Sequence, residues 1–229
     1  MEGYQRYAIY YAPEPGVFAN FCAKWLGWDA ESGRVRAHPV IRGLPRKVAD
    51  LTAAPRVYGF HGTIKAPFRL AEGADIAALH AAMLGLCGGM AAVQVAQMAL
   101  QRLGGFVALV PVADAGGVAD LAATVVAALD GFRAPLEADE IARRRPERLS
   151  GRQQDYLARW GYPYVMEEFR FHLTLTGDLP EDEADQVLAV LEPVLTPLVP
   201  QPFRVGSLCL FGQQTGGRFR MLHRYALGG

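Results

Sequence analysis

Two short stretches of the chain carry the same pair of reactive side chains: Phe60-His61-Gly62-Thr63-Ile64 and Phe171-His172-Leu173-Thr174-Leu175. On an extended strand residues i and i+2 share a face. His61 and Thr63 therefore point one way while Phe60, Gly62 and Ile64 point the other, and His172 and Thr174 are set against Phe171, Leu173 and Leu175 in the same manner. Continuing the alternation adds Lys65 to the first polar face and Arg170 and Thr176 to the second. A single His-x-Thr says little. Two copies whose polar faces meet across a cleft would gather two imidazoles, two hydroxyls and several cations around one small volume.

That set suits in-line displacement at the phosphorus of a phosphodiester, where the attacking and leaving oxygens lie on opposite sides. One imidazole takes a proton from the attacker and the other gives one to the leaving group; unperturbed pKa values of about 6.5 let both act near neutral pH. Thr63 and Thr174 would donate to the non-bridging oxygens, and Lys65 and Arg170 would neutralise the charge that gathers there. Tyr162 and Tyr164 are candidates for stacking on a base or a ribose. Neither a metal nor a cofactor is expected, because no carboxylate or cysteine stands at ligand spacing beside either motif. The motif's pseudosymmetry leaves open which histidine is acid and which is base.

The elements that must position these residues also repeat. The first copy reads as a strand (Gly59–Ala66), a helix (Asp75–Leu86) and two strands (Ala92–Leu100, Gly105–Val112). The second reads as a strand (Phe169–Thr176), a helix (Glu181–Leu195) and two strands (Phe203–Leu210, Arg218–Tyr225). Before them lie a strand at Arg6–Ala12, ended by Pro13 and Pro15, a helix at Gly16–Leu26 stopped by Gly27, and an irregular stretch over 28–56. Between them lie a helix at Ala115–Ala127, a linker holding Arg143-Arg144-Arg145 and Arg148, and a helix at Ser150–Trp160. Ser150 and Gln153 fit a capping box there and Gly161 a C-cap. The expected fold is α+β: one bilobal domain over 1–229, with repeats at about 57–112 and 168–226, linker helices at about 115–165, an antiparallel sheet with flanking helices in each lobe, and the cleft between them.

Lysine plus arginine equals aspartate plus glutamate at 23 each, so no global basic field advertises nucleic acid or a membrane as partner. The arginine run at 143–148 reads first as a solvated face paired with Glu137, Asp139, Glu140 and Glu147, and second as a grip on a further phosphate or an RNA backbone. Tyr10 and Tyr58 read as core aromatics. Cys22, Cys87 and Cys209 lie far apart in apolar surroundings and read as buried free thiols. The N-terminus enters a strand-like run at once, unlike a signal peptide, and the most apolar stretch, Ala81–Val93, falls short of the roughly 20 residues a bilayer span needs. A reducing cytoplasm is the expected location.

The segments Arg6-Tyr7-Ala8-Ile9-Tyr10-Tyr11 with Pro13, Tyr58-Gly59-Phe60-His61-Gly62-Thr63-Ile64-Lys65-Ala66-Pro67-Phe68, and Trp160-Gly161-Tyr162-Pro163-Tyr164-Val165 leading into Phe169-Arg170-Phe171-His172-Leu173-Thr174-Leu175-Thr176-Gly177 resemble the two-histidine (2H) phosphoesterase superfamily. Within it the chain looks like a bacterial branch of unknown function found beside phosphonate-utilisation genes. The superfamily resemblance implies metal-independent hydrolysis or ligation of phosphodiesters, commonly 2′,3′-cyclic phosphates of nucleotides, RNA ends or related sugars. The branch implies only an association with phosphonate metabolism, in which five-membered cyclic phosphates of ribose arise. In the superfamily the middle residues of the motifs, here Gly62 and Leu173, vary. The expected partner is a small phosphorylated metabolite or nucleotide, with RNA not favoured and no membrane; the sequence gives no oligomeric state. Two other readings keep the cleft but change its use: a module that binds a nucleotide or phosphometabolite without turnover, and an RNA-end ligase or RNA-processing enzyme.

Overall fold

The computed structural model describes residues 3–113 and 115–229. In chain order its elements are β1 (Arg6–Tyr11), α1 (Val17–Leu26), β2 (Trp28–Asp29), β3 (Arg34–Val35), α2 (Val48–Leu51), β4 (Gly62–Phe68), α3 (Ile76–Gly88), β5 (Val93–Val95), β6 (Met98–Leu103) and β7 (Phe106–Pro111). There follow α4 (Gly116–Ala128), α5 (Ala138–Arg143), α6 (Gly151–Trp160), β8 (Leu173–Thr174), α7 (Glu181–Leu195), β9 (Phe203–Val205), β10 (Ser207–Gln213) and β11 (Phe219–Ala226).

Local chemistry accounts for the helix ends. Gly27 and Gly161 take the left-handed conformation after α1 and α6, at φ 75° and 72°. Ser150 and Gln153 close the capping box before α6. Within the segment expected as a linker, α5 is one short helix started by a second capping box, Glu137 with Glu140. No helix among the described residues is long and apolar enough to cross a membrane.

Seven strands form one antiparallel sheet in the order β11-β10-β1-β4-β8-β7-β6, and β5 pairs with β9 in a separate ribbon. The fold is α+β with two lobes. One holds β11, β10, β1 and β4 with α3 packed on β10 and β11; the other holds β8, β7 and β6 with α7 packed on β6 and β7. The motif strands β4 and β8 pair directly at the seam, Gly62 opposite Leu173. Each repeat therefore gives its closing hairpin to the other lobe: β6–β7 of the first copy pairs with β8, and β10–β11 of the second pairs with β1 beside β4. The strands expected at Ala92–Leu100 and Phe203–Leu210 are each split, at Ala96-Gln97 and at Gly206, because β5 and β9 carry the two crossovers as a ribbon of their own.

A large apolar core holds Ile9, Ile64, Leu173, Leu109 and Leu210 from the sheet with Trp25, Met83, Val125 and Leu191 from the helices. The Trp25 indole donates to the Leu175 carbonyl at 2.8 Å, tying α1 to the second motif. A smaller cluster gathers Ala8 and Tyr10 of β1, Cys209 and Phe211 of β10, Trp28 of β2 and Phe219 of β11. The three cysteines are buried and unpaired.

Candidate active site

His61 stands one residue ahead of β4, where Gly59 turns the chain with φ 78° and its missing Cβ lets Ala30 approach. Its Nδ1 lies 2.8 Å from the Gly59 carbonyl and its Nε2 3.2 Å from the Thr63 hydroxyl. A carbonyl can only accept, so Nδ1 carries the proton and Nε2 presents a lone pair to Thr63 and the cleft. His172 repeats the arrangement, with Nδ1 2.7 Å from the Arg170 carbonyl. In each motif the carbonyl two residues back holds the imidazole through Nδ1 and leaves Nε2 as the nitrogen not bound to the backbone.

The pairing of Gly62 with Leu173 sets His61 opposite Thr174 and Thr63 opposite His172, all four on one face. Directly opposed side chains on antiparallel strands have Cβ atoms about 5 Å apart and diagonal ones about 7–8 Å, so the two imidazoles sit on a diagonal with a hydroxyl beside each. The motifs lie side by side on the floor of the cleft rather than on facing walls. The ring of His61 stacks on fully buried Tyr10 at 3.9 Å between centroids and 29° between planes. Burial pulls its pKa down to about 4, against the Gly59 hydrogen bond, and His172 adds a smaller push in the same direction. His172 lies 5.7 Å from the Phe106 ring.

The cleft has two chambers of about 750 and 320 Å³, with Thr63, Phe106 and Tyr162 on both. His172, Arg170 and Tyr164 line the larger; His61, Thr174 and Thr176 line the smaller. Tyr162 and Tyr164 meet edge to face at 5.6 Å. Thr176 is buried and its hydroxyl oxygen accepts the Val107 N–H at 3.0 Å, so it pins β7 to the segment that follows β8.

Lys65 corrects the strict alternation. The β1–β4 register slips between Tyr10–Thr63 and Ile9–Lys65, so Lys65 falls opposite a core residue instead of following Thr63. It is 3% exposed, lines neither chamber, and meets Asp130 and the Val126 carbonyl at 3.3 Å. Burial draws its pKa down to about 8, against the pull of Asp130.

Four further side chains line the smaller chamber: Tyr10 and Tyr58, expected as core aromatics, Arg144, expected on a solvated face or as a grip on a further phosphate, and Arg6, which had no expected role. The alternation of β1, which sets Arg6 and Tyr10 on one face, was the available signal. Among the described residues no group of three or more His, Cys, Asp or Glu gathers as metal ligands would.

Residues 63–220 match a family described as a protein of unknown function, DUF1045. The chain belongs to that family. Two curated relatives, from Laribacter hongkongensis (strain HLHK9) and Janthinobacterium sp. (strain Marseille), are both named ribose 1,5-bisphosphate phosphokinase PhnN. They are 40% and 38% identical over 94% and 82% of this chain, and over 50% and 42% of their own lengths. The family member thus spans half or less of those proteins. Among solved structures, E. coli LigT complexed with 3′-AMP has 15% identity and a TM-score of 0.45, covering 98% of this chain and 99% of that one. The protein TT0787 of Thermus thermophilus has 13% identity and a TM-score of 0.45, covering 98% of both.

Proposed function

We propose that this protein is a metal-independent phosphoesterase of the two-histidine kind, which opens a cyclic phosphodiester of ribose by paired general acid–base catalysis. One observation carries the reading: two imidazoles locked alike through Nδ1 to a backbone carbonyl, set diagonally on one sheet face with a threonine hydroxyl beside each. His61, unprotonated at neutral pH, is the base. It takes a proton from water at Nε2 as the water oxygen bonds to phosphorus. The bond from phosphorus to one ring oxygen breaks, and His172, as the acid, gives a proton from Nε2 to that oxygen as it leaves. Thr63 and Thr174 donate to the non-bridging oxygens. Arg170, exposed and lining the larger chamber, supplies positive charge, and Tyr162 and Tyr164 supply an aromatic wall. Lys65 has no direct part.

The kinase in the relatives' name does not carry over to this chain. A nucleotide-phosphate loop needs a Gly-x4-Gly-Lys-Ser/Thr run, and none of Lys24, Lys47 and Lys65 follows a glycine. What the name contributes is ribose phosphates as the surrounding chemistry, consistent with a place in phosphonate metabolism. The test is a panel of 2′,3′-, 3′,5′-, 1,2-cyclic and linear phosphodiesters, incubated with EDTA and followed by phosphorus NMR. Hydrolysis of a cyclic ribose phosphate is expected, with His61→Ala and His172→Ala each slower by about 10²–10⁴-fold. Full activity in either variant ends the reading, and binding of a cyclic phosphate without product over hours would favour a non-catalytic binding protein.

A further inference from the structure

Two arginines, Arg6 and Arg144, line the smaller chamber beside His61. Arg6 lies on β1 four residues before Tyr10, on the same face and beside the same chamber as His61. Its Nε donates to the side-chain oxygen of Gln213 at 2.9 Å, and the Gln213 amide is committed to the Gly217 carbonyl at 2.7 Å. The Arg6 guanidinium also sits 5.7 Å from the centre of the Phe219 ring. Arg144, at the C-cap of α5, is half-buried and lies 4.9 Å over the ring of Tyr162. Its neighbour Arg143 does pair with Asp139, at 2.7 Å, and Arg145 and Arg148 are exposed. Among the described residues neither Arg6 nor Arg144 meets a carboxylate at ion-pair distance.

A guanidinium held by a neutral amide and by ring faces is fixed in place while its charge stays uncompensated. Two of them on one small chamber can together accept a multiply charged anion, whose oxygens take up their N–H groups. Tyr10, whose ring stacks on His61, lines the same chamber as both cations. The exposed Asp178 also lines this chamber, on the loop after β8.

We propose that Arg6 and Arg144 form a second anion subsite beside the paired histidines, so that the substrate is a ribose phosphodiester bearing an additional phosphomonoester. This deepens the phosphodiesterase reading and rests on it. Water adds to the diester phosphorus, one ring P–O bond breaks, the freed hydroxyl takes the proton given up by His172, and the other phosphate is untouched. The product is a ribose with two phosphomonoesters.

Calorimetric titration with ribose 1,5-bisphosphate and with ribose 5-phosphate tests the subsite apart from turnover. The bisphosphate is expected to bind about 10- to 100-fold tighter to the wild-type protein. Arg144→Gln and Arg6→Gln should each bring the two ligands close to parity, while Arg143→Gln keeps the wild-type preference. Circular dichroism and thermal melting check that each variant is folded; Arg144, at a helix end, carries the test if Arg6→Gln disturbs β1. Equal binding of the two ligands by the wild type, or a preference intact in both arginine variants, overturns the subsite. Turnover of a matched pair of ribose cyclic phosphates, with and without a 5-phosphate, reports separately on the activity. A preference lost in the variants with neither diester hydrolysed would retain the subsite and reject the phosphodiesterase.

Discussion

At the scale of single residues, His61 has a pKa drawn well below that of an imidazole in water. Burial holds it neutral to about pH 4, so the acid limb of kcat/KM should fall off near that value rather than near about 6.5. A pH–rate profile of the free enzyme checks this. The same shift has a stability consequence. A histidine whose folded pKa is depressed resists protonation only in the folded state, so its stabilising contribution is complete above the unfolded pKa and is lost as pH falls from about 6.5 toward about 4. Urea titrations at pH 7 and pH 5 should show the wild type losing more stability between them than His61→Asn. Binding of inorganic phosphate should move the His61 titration upward, visible in its imidazole NMR signals, because an anion favours the charged ring.

At the scale of elements, the pairing of β4 with β8 rests on a missing methyl group. A Cβ on Gly62 would lie 2.5 Å from Cε2 of Phe171, whose ring packs over the strand on the apolar side. Gly62 is thus fixed by packing here, whatever the variability of that position elsewhere. Gly62→Ala should cost about 1–3 kcal/mol by overpacking, read from urea denaturation, and should lower kcat by misplacing His172 against Thr63. Lys65 makes a second test. Replacing Asp130 by asparagine removes the carboxylate that partners both Lys65 and Arg133 and should destabilise the fold by up to about 3–5 kcal/mol. Lys65→Met, which replaces the buried cation by an apolar side chain, should leave kcat/KM near wild type. A loss of activity without a loss of stability in Lys65→Met would return that lysine to the phosphate site.

At the scale of the whole molecule, the exchange of hairpins between lobes ties the repeats together. A fragment covering either repeat alone lacks the strands that complete its sheet and bares a long unpaired edge. Fragments 57–112 and 168–226 are therefore expected to be unfolded when expressed separately, by circular dichroism and proton NMR dispersion. The intact chain should unfold in one transition, with the signals of His61 and His172 lost together. Two separate transitions would show that the lobes are independent.

Much of this was legible in the sequence because it is local. Alternation along a strand decides that His61 shares a face with Thr63 and His172 with Thr174. Glycine after a helix and serine before one mark α1 and α6. The repeated order of strand, helix and strand pair predicts an α+β fold with two lobes. These follow from backbone geometry within a few residues of each side chain. Tertiary structure decided what depends on partners distant in the chain. The bulge opposite Ile9 turns Lys65 away from the histidines; the ribbon of β5 and β9 carries each hairpin into the other lobe. Arg6 and Arg144, far apart in sequence, are brought to one chamber. Strand pairing and the choice of neighbour for a long charged side chain are set by packing and by competition for hydrogen-bond and charge partners across the whole molecule, and no local pattern encodes them.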